Sequence, residues 1–378
     1  MQLAIHIPNH TIAEQIFDRY FAYRQSLDTL YQPDISIKFV ANATEFNKDQ
    51  IRILLEYMPK LDIINYNQYD FVFFCNGAEP LQVANPVMAD YLTRDNVYLI
   101  CNSYVSTEHV LRNKILWIPD AIDTCRQYWT RAFYPQHYQN PKFNQLPRNT
   151  NLCFINGVNR SWRHYLVDLL KQGVPGLSIK SDITSVVQNT IDVQWETSDD
   201  QEFRQWVNSK YQSHLVEPEF AISTYYNNSI TIGIENKFGS VPPGYFILSE
   251  YFQSRCVIFP EAAWINNEVA VTEKILKCCY SQSIPWPIGG ANINQLYNTL
   301  GFFTAWNLLP DFLKEYDSIL NHQKRYEKLV EAIAWVQNNP KCLVTTQAQK
   351  IINQNLINFL TFNQDCSTML TLDQILLK

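Results

Sequence analysis

Short apolar runs alternate with longer amphipathic segments through the first 125 residues. "QLAIHIP", "ISIKFV", "DFVFFCNG" and "NVYLICNSY" have the length and β-branched or aromatic content of buried strands. Between them, "IAEQIFDRYFAYRQSL" and "QIRILLEYM" carry apolar residues at helical spacing. This alternation predicts an α/β layer on a mostly parallel sheet. Over 126–150 the period is lost in "RQYWTRAFYPQHYQNPKFNQLPRNTN", rich in Pro, Asn, Gln and Tyr, which reads as a connection between domains. A second strand and helix series follows in "NLCFING", "SWRHYLVDLLKQG", "LSIKS", "SITIGIEN", "RCVIFP", "VAVTEKILKCCYSQS" and "PWPIGG". From Phe312 onward the pattern is helical, with Tyr326, Leu329, Val330 and Ile333 on one face, and "AQKIINQNLINFLTF" forms a further amphipathic helix. The expected organisation is an N-terminal α/β domain over 1–125, a linker over 126–150, a second α/β domain over 151–315, and C-terminal helices over 316–378.

Composition narrows the class. With 378 residues, 46% of them hydrophobic and 17% charged, the chain is long enough for two soluble globular domains. A formal charge of -6 supplies no overall basic field for nucleic acid or anionic lipid. No run reaches the ~18 apolar residues of a membrane span. The start "MQLAIHIPNH" lacks the basic region and cleavage site of a signal peptide, so the mature chain is expected to begin at Met1. Nine cysteines without CxxC spacing, Cys278 and Cys279 being adjacent, read as reduced core residues, and a cytoplasmic protein is expected.

The chemistry concentrates near "VTEK". Val269 and Val271 alternate as in a strand, whereas Ile275, Leu276, Cys278 and Cys279 share a helical face, so Thr272 falls at the junction as a helix N-cap. A helix start presents unpaired N–H groups and a positive dipole end, and Lys274 adds a full charge where a diphosphate can dock. Glu273 can accept two hydroxyl hydrogen bonds, as from the cis-diol of a ribose. For the tripeptide taken alone, an ordinary helix start, with Glu273 favouring the dipole and Lys274 solvated, is the stronger account.

Glu261 precedes Thr272 by eleven positions, after the strand "CVIFP". Pro285, Gly289, Leu300, Gly301, Phe302, Tyr316, Asp317 and Arg325 follow in order. In this order the segment resembles a glycosyltransferase-like family with the two-domain GT-B fold, whose pattern runs from a strand-terminal Glu through Thr-Glu-Lys to Leu-Gly-Phe, Tyr-Asp and a helical Arg. A shorter version of it is similar to the donor motif of α-1,3-fucosyltransferases. "NLCFINGVNRSWRHYLVDLL" is similar to the opening of the donor domain in the same family and places Arg160 and Arg163 at a helix start, where a guanidinium can fork two phosphate oxygens. Departures are Ala262 and Ile275 in place of hydroxyl residues, Trp286 and Pro287 in the apolar strand, and Ala305 and Trp306 after Thr304. A competing assignment takes Glu235 and Asn236 as the fucosyltransferase-like pair, at a longer distance from Thr272.

The resemblance implies two Rossmann-like lobes of GT-B type, the N-terminal one for the acceptor and the C-terminal one for a nucleoside-diphosphate sugar. GDP-sugars are favoured through the fucosyltransferase likeness alone, and the acceptor is a glycan, a lipid-linked molecule or a protein. The implied donor-binding residues are Arg160, Arg163, Glu261, Thr272, Glu273 and Lys274. No Asp-x-Asp metal clamp, GxGxxG or GxxxxGK[ST] occurs, so no metal or other cofactor is expected. Inverting transfer needs a base beyond a strand's carboxyl end in the N-terminal domain. Glu79 fits, with His6 and Glu108 as rivals. Trp162 and Trp264 are candidate stacking platforms for a base or sugar ring. A catalytically silent nucleotide-sugar-binding protein and a structural or virion-associated protein remain the competing classes.

Overall fold

The computed structural model describes residues 2–6, 36–39, 71–76, 92–101, 103–106, 112–117, 148–156, 160–181, 198–211, 249–261, 266–362, 372, 374 and 375. The chain divides into two compact units. One comprises Met1–Asp120, Ile191–Trp195 and Asn363–Lys378; the other comprises Ala121–Thr190 and Glu196–Phe362.

In the first unit the expected apolar runs become β1 (Gln2–His6), β2 (Ser36–Phe39), β3 (Phe71–Asn76), β4 (Val97–Cys101), the short β5 (Ser103–Val105) and β6 (Ile115–Trp117). Five of them form a parallel sheet in the order β2-β1-β3-β4-β6. Strands are added first on one side of β1 and then on the other, so the order reverses between β1 and β3. Val97, Leu99, Ile100, Ile115 and Leu116 are buried, as both faces of a parallel sheet require.

The second unit holds β7 (Thr150–Asn156), β8 (Ser178–Ser181), β9 (Ser254–Pro260), the short β10 (Glu268–Ala270) and β11 (Ile284–Ile288). Its sheet runs β11-β9-β7-β8, again all parallel. Its helices are α1 (Ser161–Gly173), α2 (Ser198–Tyr211), α3 (Ser249–Gln253), α4 (Glu273–Ser281), α5 (Ile293–Thr299), α6 (Asp311–Lys314), α7 (His322–Asn338) and α8 (Thr346–Thr361). α1 packs with α2 and α7, while α4 packs with α3 and α8. Trp162, Leu166 and Leu170, four residues apart, put one stripe of α1 onto Tyr326, Leu329 and Ile333 of α7. Trp162 stacks on Tyr326 with ring centroids 6.1 Å apart. The expected strand "SITIGIEN" lies outside the described residues, as does most of the expected linker.

The departures noted in β11 have a physical reason. Among the described residues β11 is the edge of its sheet, and Ile284, Trp286 and Ile288 pair with Cys256, Ile258 and Pro260 of β9. The Ile288 carbonyl accepts from the amide of Glu261, so residues of that parity face β9. Pro285 and Pro287 face the other way, where the missing N–H costs no ladder bond.

Arg148, at the end of the expected linker, spans two elements. Its guanidinium donates to the carbonyls of Ser254, Ser281 and Gln282, the last two at 2.7 Å. A cation thus closes the carboxyl end of α4, where dipole and unpaired carbonyls favour it.

The "LGF" of the sequence pattern is a helix stop. Phe302 N–H donates to the Tyr297 carbonyl and Gly301 N–H to the Asn298 carbonyl, with Gly301 at φ 80°. This is a Schellman closure, and a side chain at Gly301 would also press on Asn358 at 3.1 Å. The Tyr-Asp pair that follows is internal. Asp317 accepts from Asn294 N and Nδ2 and from Gln295 N, which caps the start of α5. Tyr316 accepts from Trp286 Nε1 at 2.8 Å. Arg325 donates to the carbonyls of Ile319 and Gly289 and to Asn266 Oδ1. Burial pushes the Asp317 carboxyl up to about 6, against the bonds from Asn294 and Gln295 that lower it.

Arg148→Ala leaves three carbonyls without their shared cation and should lower unfolding free energy in urea by on the order of 2 kcal/mol. Asp317 keeps its proton in the folded chain at pH values where the unfolded chain, near 3.8, has lost it. Stability should therefore fall as pH rises through the window from about 4 to about 6, and the whole penalty is present above it. Relative to Asp317→Asn, the natural protein should gain up to about 3 kcal/mol between pH 7 and pH 4 in parallel urea titrations.

Candidate functional site

The second unit adds β8 on one side of β7 and β9 on the other, so its order reverses between β7 and β9. In open α/β sheets ligands bind beyond the carboxyl ends of the strands at such a reversal. Asn156 ends β7, Glu261 directly follows β9, and α1 begins at Ser161.

Arg163, in the first turn of α1, is buried and spans this gap. Its Nη1 donates to Asn156 Oδ1 at 3.2 Å and its Nη2 to the Glu261 carbonyl at 2.6 Å. Burial, and then the neighbouring Arg160, bring its pKa down to about 9, with Glu261 and Glu273 opposing. The group stays charged at neutral pH but aims these two donors inward, at the sheet. Arg160 is half-buried immediately before α1. Among the described residues no side chain caps that helix, and its first turn holds no acid.

Glu261 links five elements. Its amide extends the β9 ladder to Ile288 of β11, and its carbonyl accepts from Arg163 of α1. Its carboxylate is buried, with Oε1 accepting from Tyr297 of α5 and Oε2 from the Thr272 hydroxyl at 2.8 Å. Lys274 Nζ stands 3.7 Å from the same Oε2. Burial raises the Glu261 pKa, opposed by Lys274 and by the Tyr297 and Thr272 hydroxyls. The Tyr297 phenol is raised well above its usual value by burial and by Glu261, so it remains a donor.

Thr272 is the N-cap of α4, as its place at the strand-helix junction predicts: its hydroxyl accepts from Lys274 N at 3.4 Å. It also accepts from Lys274 Nζ at 3.3 Å. Glu273 keeps 29% of its side chain exposed and lies 3.9 Å from Lys277 one turn on. Burial alone would raise its pKa, but Lys274, Lys277, its own amide and Arg163 outweigh that and hold it below the usual carboxylate value.

The six C-terminal candidates, Arg160, Arg163, Glu261, Thr272, Glu273 and Lys274, therefore converge on one corner. Trp162 does not serve as the expected stacking platform, because it is fully buried against Tyr326 in the core. Trp264, Glu235, Asn236, Glu79 and Glu108 lie outside the described residues, and His6 is the last residue of β1. Sequence reading missed Asn156 and Tyr297. Asn156 was visible as the polar residue ending an apolar strand; Tyr297 carried no signal beyond its place on the apolar face of α5.

Among known proteins, no family model matches this chain, and no curated protein matches it in sequence. An α1,3-fucosyltransferase crystal structure is similar at 12% identity and a TM-score of 0.39, covering 100% of this chain and 90% of the other. Sucrose-phosphate synthase from Thermosynechococcus elongatus is similar at 10% identity and a TM-score of 0.38, covering 100% and 98%. Likeness this slight assigns neither protein's activity to this chain.

Proposed function

We propose that the second unit binds the nucleoside-diphosphate part of a sugar donor and that the protein is a glycosyltransferase. The observation that carries the reading is the meeting of two helix starts, those of α1 and α4, at the sheet's reversal point, with Arg160 and Lys274 on them. Helix N-termini and fixed cations stabilise a diphosphate, both bound and as it departs. Arg163 contributes charge from beneath while bracing Asn156 and Glu261. Glu273, ionised and partly exposed beside these cations, supplies an acceptor for ribose hydroxyls. The resemblance of the "TEK" segment to fucosyltransferase donor motifs favours GDP as the nucleotide.

In this reading, breaking the bond between sugar and diphosphate leaves negative charge on the departing phosphate, which Arg160, Lys274 and the α1 start neutralise without a metal. The acceptor hydroxyl, on a glycan, a lipid-linked molecule or a protein, attacks with inversion as a carboxylate or an imidazole takes its proton. Glu79 is proposed as that base, with His6 and Glu108 as alternatives.

Calorimetric titration of the natural protein with GDP, UDP, ADP and their sugar conjugates should give binding, tightest for the guanine series. Lys274→Ala should weaken it about tenfold or more, about 1.4 kcal/mol per decade; an unchanged Kd would remove Lys274 from the site. Glu79→Gln should keep nucleotide affinity and lose sugar transfer followed by NMR. Turnover at the natural rate would exclude Glu79. Binding without transfer or donor hydrolysis in the natural protein would instead identify a silent binder.

A further inference from the structure

Beneath Lys274 lies a relay of side chains whose hydrogen-bonding capacity can be followed atom by atom. The Thr272 hydroxyl has one proton and two lone pairs. Its proton goes to Glu261 Oε2 at 2.8 Å, which leaves its oxygen facing Lys274, whose backbone N–H approaches at 3.4 Å and whose ammonium approaches at 3.3 Å. That orientation holds only while Glu261 is an acceptor at Oε2. The other carboxylate oxygen, Oε1, takes the proton of Tyr297. Tyr297 is fully buried on α5, whose start is fixed by Asp317 and whose end is fixed by the Gly301 turn. The helix that carries the phenol is thus anchored at both ends, and among the described residues the phenol's acceptor is Glu261 Oε1.

We propose that Tyr297 is a positioning residue for anion binding, acting on Lys274 through Glu261 and Thr272. This rests on the reading of the corner as a diphosphate site and extends it to a residue that sits behind the corner and touches no ligand. The physical reason is competition. A buried carboxylate needs its charge satisfied. With the phenol donating to Oε1, part of that demand is met away from the ligand, and the ammonium is left to share itself with an incoming phosphate. Without the phenol hydroxyl, Glu261 leans on the ammonium 3.7 Å away and holds it back from the anion.

The test is a double-mutant cycle on the full chain, with GDP and inorganic pyrophosphate as probes in calorimetry. Tyr297→Phe should weaken binding of both by about tenfold, the scale of one hydrogen bond to a charged group. In the Lys274→Ala background the same substitution should change the Kd by less than about twofold, because the relay then ends on nothing. A residue needed only for folding would weaken binding by the same factor in both backgrounds, and that result overturns the proposal, as does natural affinity in Tyr297→Phe alone. If Tyr297→Phe does not fold by thermal melting, Thr272→Val, which removes the α4 cap along with the relay, is compared with Thr272→Ser, which keeps both: the serine variant should retain natural affinity, and equal loss in the two overturns the proposal. Failure of the natural protein to bind either probe overturns the diphosphate site itself, and the positioning role with it. Binding with multiplicative effects overturns the positioning role alone.

Discussion

The carboxylate of Glu261 is the constraint around which the second unit closes. A carboxyl group with 1% exposure is tolerated only if hydrogen-bond partners surround it, and here those partners come from separate elements: Thr272 at the start of α4, Tyr297 on α5 and the nearby ammonium of Lys274. Its backbone meanwhile ties β9 to β11 and accepts from Arg163. Satisfying one buried acid, side chain and backbone together, therefore fixes the relative placement of β9, β11, α1, α4 and α5. The same act gathers Arg163 and Lys274 around Glu261 and hides the acid that holds them.

Two carboxylates twelve positions apart in the chain serve opposite ends of this arrangement. Glu261 is sealed and its pKa raised; Glu273 reaches solvent among lysines and its pKa is lowered. Environment, not residue type, separates an internal brace from an acid available to a ligand. Arg160 and Arg163 divide in the same way, the second turned toward the sheet and the first half-buried at the helix start.

Much of this was legible in the chain. The alternation of apolar and polar runs marked β1 to β4 and β7 to β9, and the break in pattern at Thr272 located the N-cap because capping chemistry is local. Glu261 stood out by its place after the strand "CVIFP", eleven positions before Thr272, in the pattern that carries the family resemblance. What was not legible depended on distance. Tyr297 finds its partner 36 positions away, and Arg148 reaches more than a hundred positions to Ser254, Ser281 and Gln282 from a stretch that reads as linker. Trp162 misled because arginines flank it in sequence and Arg163 does lie 5.2 Å from its ring centroid, yet the ring is fully buried and stacks on Tyr326. Side-chain hydrogen bonds across a sheet leave no periodic trace, and an aromatic beside charge reads the same whether it points in or out.

The prolines of β11 have a meaning beyond the strand they occupy. An outer strand with a full row of outward N–H groups is a template on which another chain's strand can grow. With Pro285 and Pro287 at the outward positions of β11, the donors such growth would need are missing. Burial of the whole strand against α4, α5 and α8 closes the same border a second way, so among the described residues β11 offers no exposed ladder on which another strand could grow.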